Sequence, residues 1–265
     1  MSPRVRRIGA LVLRYLLLIR RDQSRIIDLC YWPMIDIAIW GFLTYYFVAK
    51  TGTPLPGALA AFLGGAILWN LFLRAAQDVS VSFLDDVWAR SLVTVFASPL
   101  TFGEFGVAIA LVGATKVVMS LAVMAIAAWL LYAFDVFTIG WALVPFAANL
   151  MLFGWTMGLV ALAVIVRFGG RWNIIAWSFP FLAMPVSSVF YPESVLPAPA
   201  RAIARLVPAN HVFEGMRAVV LEGRMPWDRV AIATALNLVY LELASALVAA
   251  VFRIALRRGL LPKLR

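Results

Sequence analysis

The chain has 265 residues, of which 64% are hydrophobic and only 14% charged, and its mean hydropathy of +0.93 is far above that of a soluble protein, whose residues are roughly half apolar. A water-soluble core cannot absorb that excess, whereas a bilayer can, because a spanning helix satisfies its own backbone over about 20 apolar residues. The net charge of +10 lies at the chain ends rather than in a patch, which argues against a nucleic-acid partner, and one cysteine with one histidine leaves no internal disulfide framework and no His/Cys metal set.

Arg4, Arg6, Arg7, Arg14, Arg20, Arg21 and Arg25 precede the first apolar run, and Arg253, Arg257, Arg258, Lys263 and Arg265 follow the last. This positive-inside pattern predicts two cytoplasmic termini and therefore an even number of spans. Over residues 5–20, Ile8, Leu11, Val12, Tyr15, Leu16 and Ile19 recur at helical spacing while Arg7, Arg14 and Arg21 occupy another face. That predicts a helix lying in the membrane interface, retained rather than cleaved because Arg14 interrupts its apolar stretch.

Six spans are expected, at about 26–48, 58–78, 102–133, 139–166, 172–191 and 227–252. Between the second and third, the stretch 79–101 reads as a separate cytoplasmic helix. Leu84, Val87, Trp88, Ser91, Leu92 and Val95 form its apolar face, Asp85, Asp86 and Arg90 its polar one, and Ser98-Pro99 ends it. Nothing else cytoplasmic in the chain is expected to cover the apolar face, which points to a partner. Thr101 and Glu104 have the spacing of a capping box and start the third span.

Pro180, Pro185, Pro192, Pro197 and Pro199 forbid one unbroken helix and end the fifth span near Tyr191. Residues 192–225 then read as an outer segment with short helices at 201–206 and 212–222, separated by Pro208-Ala209-Asn210, that dips into the leaflet as a re-entrant hairpin. Its arginines, Arg201, Arg205, Arg217 and Arg224, are balanced by Glu193, Glu214, Glu222 and Asp228, and His211 is expected in the loop beside Asn210. The sequence thus predicts a single all-α integral membrane domain without internal repeats.

Ionisable side chains inside a span need a partner or water. Asp36, Lys116 and Glu242 fall at one depth, about 15 to 18 Å from the inner side. Lys116 is therefore expected to pair with Asp36 or Glu242, either as a static ion pair or as a layer that rearranges or meets a cargo headgroup. Arg74 and Asp78, four residues apart, read as a surface pair. Asn70, Asn149 and Asn237 suit bonds between helices or a pathway lining. Trp32, Trp40, Trp69, Trp172 and Trp177 suit interfacial anchoring, with stacking on cargo as the alternative.

The segment Phe96-Ala97-Ser98-Pro99-Leu100-Thr101-Phe102-Gly103-Glu104 after an amphipathic helix resembles the type 2 family of ATP-binding-cassette export permeases. So do Phe190-Tyr191-Pro192-Glu193-Ser194-Val195-Leu196-Pro197, Arg205-Leu206-Val207-Pro208-Ala209-Asn210-His211 and Glu214-Gly215-Met216-Arg217, and the likeness covers nearly the whole chain. It implies a permease in the bacterial inner membrane, paired with a second permease copy and two copies of an ATPase that holds ATP and Mg. The positions matching the helix that receives the ATPase stroke include Leu84, Asp85, Asp86, Val87, Trp88, Arg90, Ser98 and Pro99. Those matching the cap over the outer exit include Tyr191, Pro192, Pro197, Pro208, Glu214 and Arg217.

The residues themselves support a division between chains, because Lys50, Lys116 and Lys263 are the only lysines and none follows a glycine as a phosphate-binding loop requires. No cofactor is expected in this chain. An amphipathic lipid, glycolipid or drug, or a glycan, is the expected cargo. The alternatives are a membrane-embedded transferase, which would need clustered acids, bases or metal ligands that the sequence does not offer, and a channel or scaffold.

Overall fold

The computed structural model describes residues 3–52, 55–88 and 101–257, and within them all regular structure is helical. Helix α1 spans Pro3–Arg21 and buries Leu11, Tyr15 and Ile19, which pack against Phe105, Ala108 and Ile109 near the start of helix α4, Phe102–Tyr132. Glu104 ties the two together. Its backbone N–H donates to the Thr101 hydroxyl at 3.3 Å and its carboxylate accepts from the Thr101 N–H at 3.0 Å, completing the capping box. The same carboxylate accepts from Arg7 Nη2 at 2.5 Å and Nε at 3.2 Å.

With α2 at Gln23–Thr51, α3 at Leu55–Trp88, α5 at Leu143–Phe168 and α9 at Trp227–Arg257, the described residues include five helices long and apolar enough to cross a membrane. Helices α3 and α5 are the centre, their most apolar windows 72% and 61% buried, whereas α2 and α9 are 22% buried and α4 33%. The centre is tight because Gly154 and Gly158 let backbones meet: a Cβ at Gly158 would lie 2.4 Å from the Ala76 carbonyl oxygen and 2.8 Å from Val79 Cβ. Phe72, Phe146, Leu150 and Phe213 fill the adjoining core. Phe42, Leu130 and Val144 face outward at 71%, 66% and 70% exposure, an arrangement compatible with a lipid solvent.

Three sequence expectations change. Residues 79–88 are not a separate helix but the end of α3, since nothing in Val79-Ser80-Val81-Ser82-Phe83-Leu84 breaks a helix. Leu84 is fully buried against Ile165 of α5 and Ala176, and Val87 packs on the cluster beneath α1, so this part of the apolar face is covered by the chain itself. The side chains of Asp86 and Trp88, and the whole of Arg90, Ser91, Leu92, Val95, Ser98 and Pro99, lie outside the described residues.

Residues 172–191, expected as the fifth span, are not one helix. A 3-10 turn at Gly170–Trp172, the short helix α6 at Ile174–Ser178 and a 3-10 stretch at Phe179–Val186 succeed one another, because Pro180 and Pro185 remove amide donors. A 3-10 turn at Glu193–Val195, helix α7 at Ala198–Ala204 and helix α8 at Pro208–Glu222 follow. Pro208 does not separate two helices; it opens α8 from an extended Val207, where a missing N–H costs nothing. His211 is consequently no loop residue but sits buried in the first turn of α8. Gly223 in the left-handed region, φ 66°, ends the helix. Helix α8 packs on α5 and α9 at the end of the bundle opposite α1.

Candidate functional site

Helix α2 carries Asp28, Trp32, Asp36 and Trp40 at four-residue intervals, a spacing that stacks them along one stripe. Helix α3 faces that stripe with Trp69, Asn70, Arg74 and Gln77, and the broken segment supplies Trp177, Phe181, Met184 and Phe190. Together they enclose a cavity of about 680 Å³. Trp40 and Phe190 stack with ring centroids 3.6 Å apart, and Phe181 meets Trp69 edge-on at 6.5 Å. Because residues 174–190 do not form one straight rod, their rings reach the gap between α2 and α3 rather than sealing it.

A second cavity of about 300 Å³ continues toward α1, sharing Asp28, Arg74, Gln77 and Trp177 with the first and adding Asp22, Asp78, Asp85 and Lys116. A polar ladder runs along both. Ser120 Oγ donates to Asn70 Oδ1 at 3.1 Å, and Asn70 Nδ2 donates to Asp36 Oδ2 at 3.0 Å. Arg74 donates to Asp28 Oδ2 at 2.9 Å and to the Asp28 carbonyl at 2.8 Å. Lys116 Nζ donates to Asp78 Oδ1 at 2.8 Å, both side chains only 13% exposed.

This pairing differs from the expected one. Lys116 bonds Asp78 rather than Asp36 or Glu242 in a buried pair, and Arg74, itself largely buried, reaches the half-exposed Asp28 on another helix rather than Asp78 one turn away. Asp36 joins the ladder through Asn70, while Glu242 is exposed on α9 and outside it. Asn70 thus bonds between helices, as one of its two expected roles had it, and also lines the cavity. Asn149 and Asn237 bond one another, the Asn237 amide donating to Asn149 Oδ1 at 3.0 Å and to its carbonyl at 2.9 Å, which fastens α5 to α9. Trp32, Trp40, Trp69 and Trp177 line the cavity, whereas Trp172 lies against Phe168 away from it.

At the far end, Arg217 gathers the broken chain. It donates to Glu214 Oε1 at 2.5 Å, to the Ser188 carbonyl, to the Val189 carbonyl at 3.2 Å and to the Tyr191 carbonyl at 2.7 Å. Burial draws this guanidinium below its ordinary pKa, and the Glu214 charge opposes that shift. Glu193, treated in the sequence only as a balancing charge, is a hub: its N–H donates to Glu214 at 2.8 Å, and its carboxylate accepts from Arg205 Nε at 2.9 Å, Asn210 Nδ2 at 3.2 Å and Arg229 Nη1 at 3.5 Å. Burial would raise its pKa, but those donors outweigh burial and hold it below the usual value. His211 Nε2 donates to the Arg205 carbonyl at 2.8 Å.

Tyr191 donates to the Pro185 carbonyl at 2.6 Å, Pro192 and Pro197 flank the Glu193–Val195 turn at the surface, and Pro208 is buried at the start of α8. Of the residues expected around the other end of α3, Asp85 lines the smaller cavity and Leu84 is buried within the chain. Among the described residues no group of three or more His, Cys, Asp or Glu side chains could hold a metal ion. No protein-family model matches the chain, and comparison with curated proteins gives no match.

Proposed function

We propose that the chain is the membrane-spanning subunit of an ATP-driven exporter, with the ATPase on a separate chain and a second copy of the permease beside it. The observation that carries this reading is the cavity between α2, α3 and the proline-broken segment, aromatic along its walls, charged at its α1 end and bordered at the other end by residues leading to α7 and α8. A through-route for an amphipathic cargo needs those properties, and a simple scaffold does not.

The broken segment serves as the sixth crossing. Its 17 residues from Gly170 to Val186, at about 1.5 to 2.0 Å per residue, cover roughly 25 to 34 Å, the thickness of a hydrocarbon core. Leu182 and Ile174 are 69% and 61% exposed, as lipid-facing residues are. An even number of crossings puts both arginine-rich termini on the cytoplasmic side, α7 and α8 on the outer side, and the polar ladder in between. Helix α3, with 34 residues, is about 51 Å long, so it overshoots the core by roughly 20 Å, and its last turn, up to Trp88, reaches the cytoplasmic surface where an ATPase would act.

The test is reconstitution. The tagged full-length chain, extracted from its native membranes in mild detergent, is expected to bring down an ATP-binding-cassette ATPase in equal amount and to show vanadate-sensitive hydrolysis in proteoliposomes. Isolation from those membranes as a folded chain with no ATPase would overturn the reading.

A further inference from the structure

We propose that the larger cavity is a binding site for an amphipathic organic cation, with the ammonium or phosphonium centre against the Asp36 carboxylate and the apolar body against the surrounding rings. The inference names a cargo class and rests on the export reading for its physiological meaning, but the binding itself requires no ATPase.

The argument begins with charge. The chain carries a net +10, yet the larger cavity is lined by Asp28 and Asp36 against Arg74 alone, and the smaller adds Lys116 with Asp78 and with Asp22 and Asp85, which have partners of their own. Both cations are already committed, Arg74 to Asp28 and Lys116 to Asp78. Asp36 accepts its hydrogen bond from the neutral Asn70 amide, and among the described residues it has no direct ion pair, only the longer-range field of Arg74. A carboxylate on an apolar helix is costly unless a cation or water meets it. The space in front of Asp36 is where such a cation fits.

The walls specify the rest. Trp32 and Trp40 stand one turn before and one turn after Asp36 on α2, Trp69 faces them from α3, and Phe190 backs Trp40. Aromatic faces attract a weakly hydrated cation through their quadrupole and attract apolar groups through burial. An anionic headgroup meets repulsion from Asp36 and no free base. A neutral glycan would stack on the rings but would leave the carboxylate uncompensated. The volume of about 680 Å³ suits a drug-sized molecule.

The test is equilibrium binding of radiolabelled tetraphenylphosphonium to the full-length chain in nanodiscs, counted above binding to empty nanodiscs. One saturable site per chain is expected, displaced by methyltriphenylphosphonium and not by the neutral, similarly shaped triphenylphosphine oxide. Asp36→Asn, which keeps a hydrogen-bonding partner for Asn70, should weaken binding at least tenfold, Asp36→Glu should retain it, and Trp32→Leu should weaken it severalfold. Equal displacement by the oxide, absence of saturable binding, or unchanged affinity in Asp36→Asn would overturn the proposal. Should Asp36→Asn fail to fold, the selectivity of the native chain between the cation and the oxide decides alone. Failure here with a co-purifying ATPase would reject the cation site and leave the exporter standing.

Discussion

Two buried charge arrangements dominate at the level of single residues. Lys116 and Asp78 sit almost wholly out of water, so truncating one strands the other. Lys116→Met should cost about 3 to 5 kcal/mol of stability in nanodiscs, and adding Asp78→Leu should recover most of it, because removing both charges removes the desolvation problem. If the double variant is no more stable than the single one, the pair is not the reason Lys116 is tolerated. Glu193 makes a pH-dependent contribution of known sign. Its pKa is lowered in the folded state, so the stabilisation is fully present above the ordinary glutamate value of about 4.3 and is lost as pH falls through the lower folded value. The thermal midpoint of Glu193→Gln should therefore lie below that of the native chain at neutral pH, and the gap should narrow under acid. That Lys116 needed a partner was legible from the sequence. Which partner was not, because counting depth from a span ending at Asp78 puts that residue at the membrane edge, whereas α3 runs on to Trp88 and carries Asp78 inside the bundle.

Among the elements, the α3–α5 contact depends on the absence of two side chains. A Cβ at Gly154 would stand 2.7 Å from Ala75 Cβ and 2.8 Å from the Phe72 carbonyl oxygen, and Gly158 is tighter still. Backbone cannot give way as a flexible side chain can, so Gly158→Ala should lower stability by about 1 to 3 kcal/mol. Gly106→Ala on α4, where an added Cβ meets nothing within 4 Å, should be neutral or should gain up to about 1 kcal/mol from helix propensity. Thermal unfolding of the two variants in nanodiscs checks the contrast, and equal effects would place the tight contact elsewhere. The five long helices and the Thr101–Glu104 cap were readable because apolar run length and a three-residue spacing are local signals. The end of α3 and the start of α8 were not. A helix passes through any stretch without a breaker when burial rewards it, as at Phe83 and Leu84, and proline marks a first turn as readily as a gap.

For the whole molecule, the charge distribution and the packing together favour a crossing of the bilayer by the broken segment between α5 and α7. Arginines crowd α1 and the end of α9, and those two regions share one apolar cluster through Leu11, Tyr15, Val248 and Phe252. They therefore lie at one end of the bundle, which is the arrangement the positive-inside rule favours. Helix α9 starts at α8 and runs back to that end, so α8 must occupy the other one. The five long helices alone, traversed in order, leave residue 168 and residue 227 on opposite sides only if residues 169–226 also pass through the membrane. Arg4, Thr51, Arg171 and Glu222 are all exposed and suit single-cysteine labelling in a Cys30→Ser background. A membrane-impermeant maleimide applied to intact cells should label cysteines introduced at 51 and 222, and should reach those at 4 and 171 only after the membrane is opened. Labelling of positions 171 and 222 from the same side would mean that the segment folds back without crossing, and the cavity it lines would then open to one face of the membrane rather than lead from one to the other.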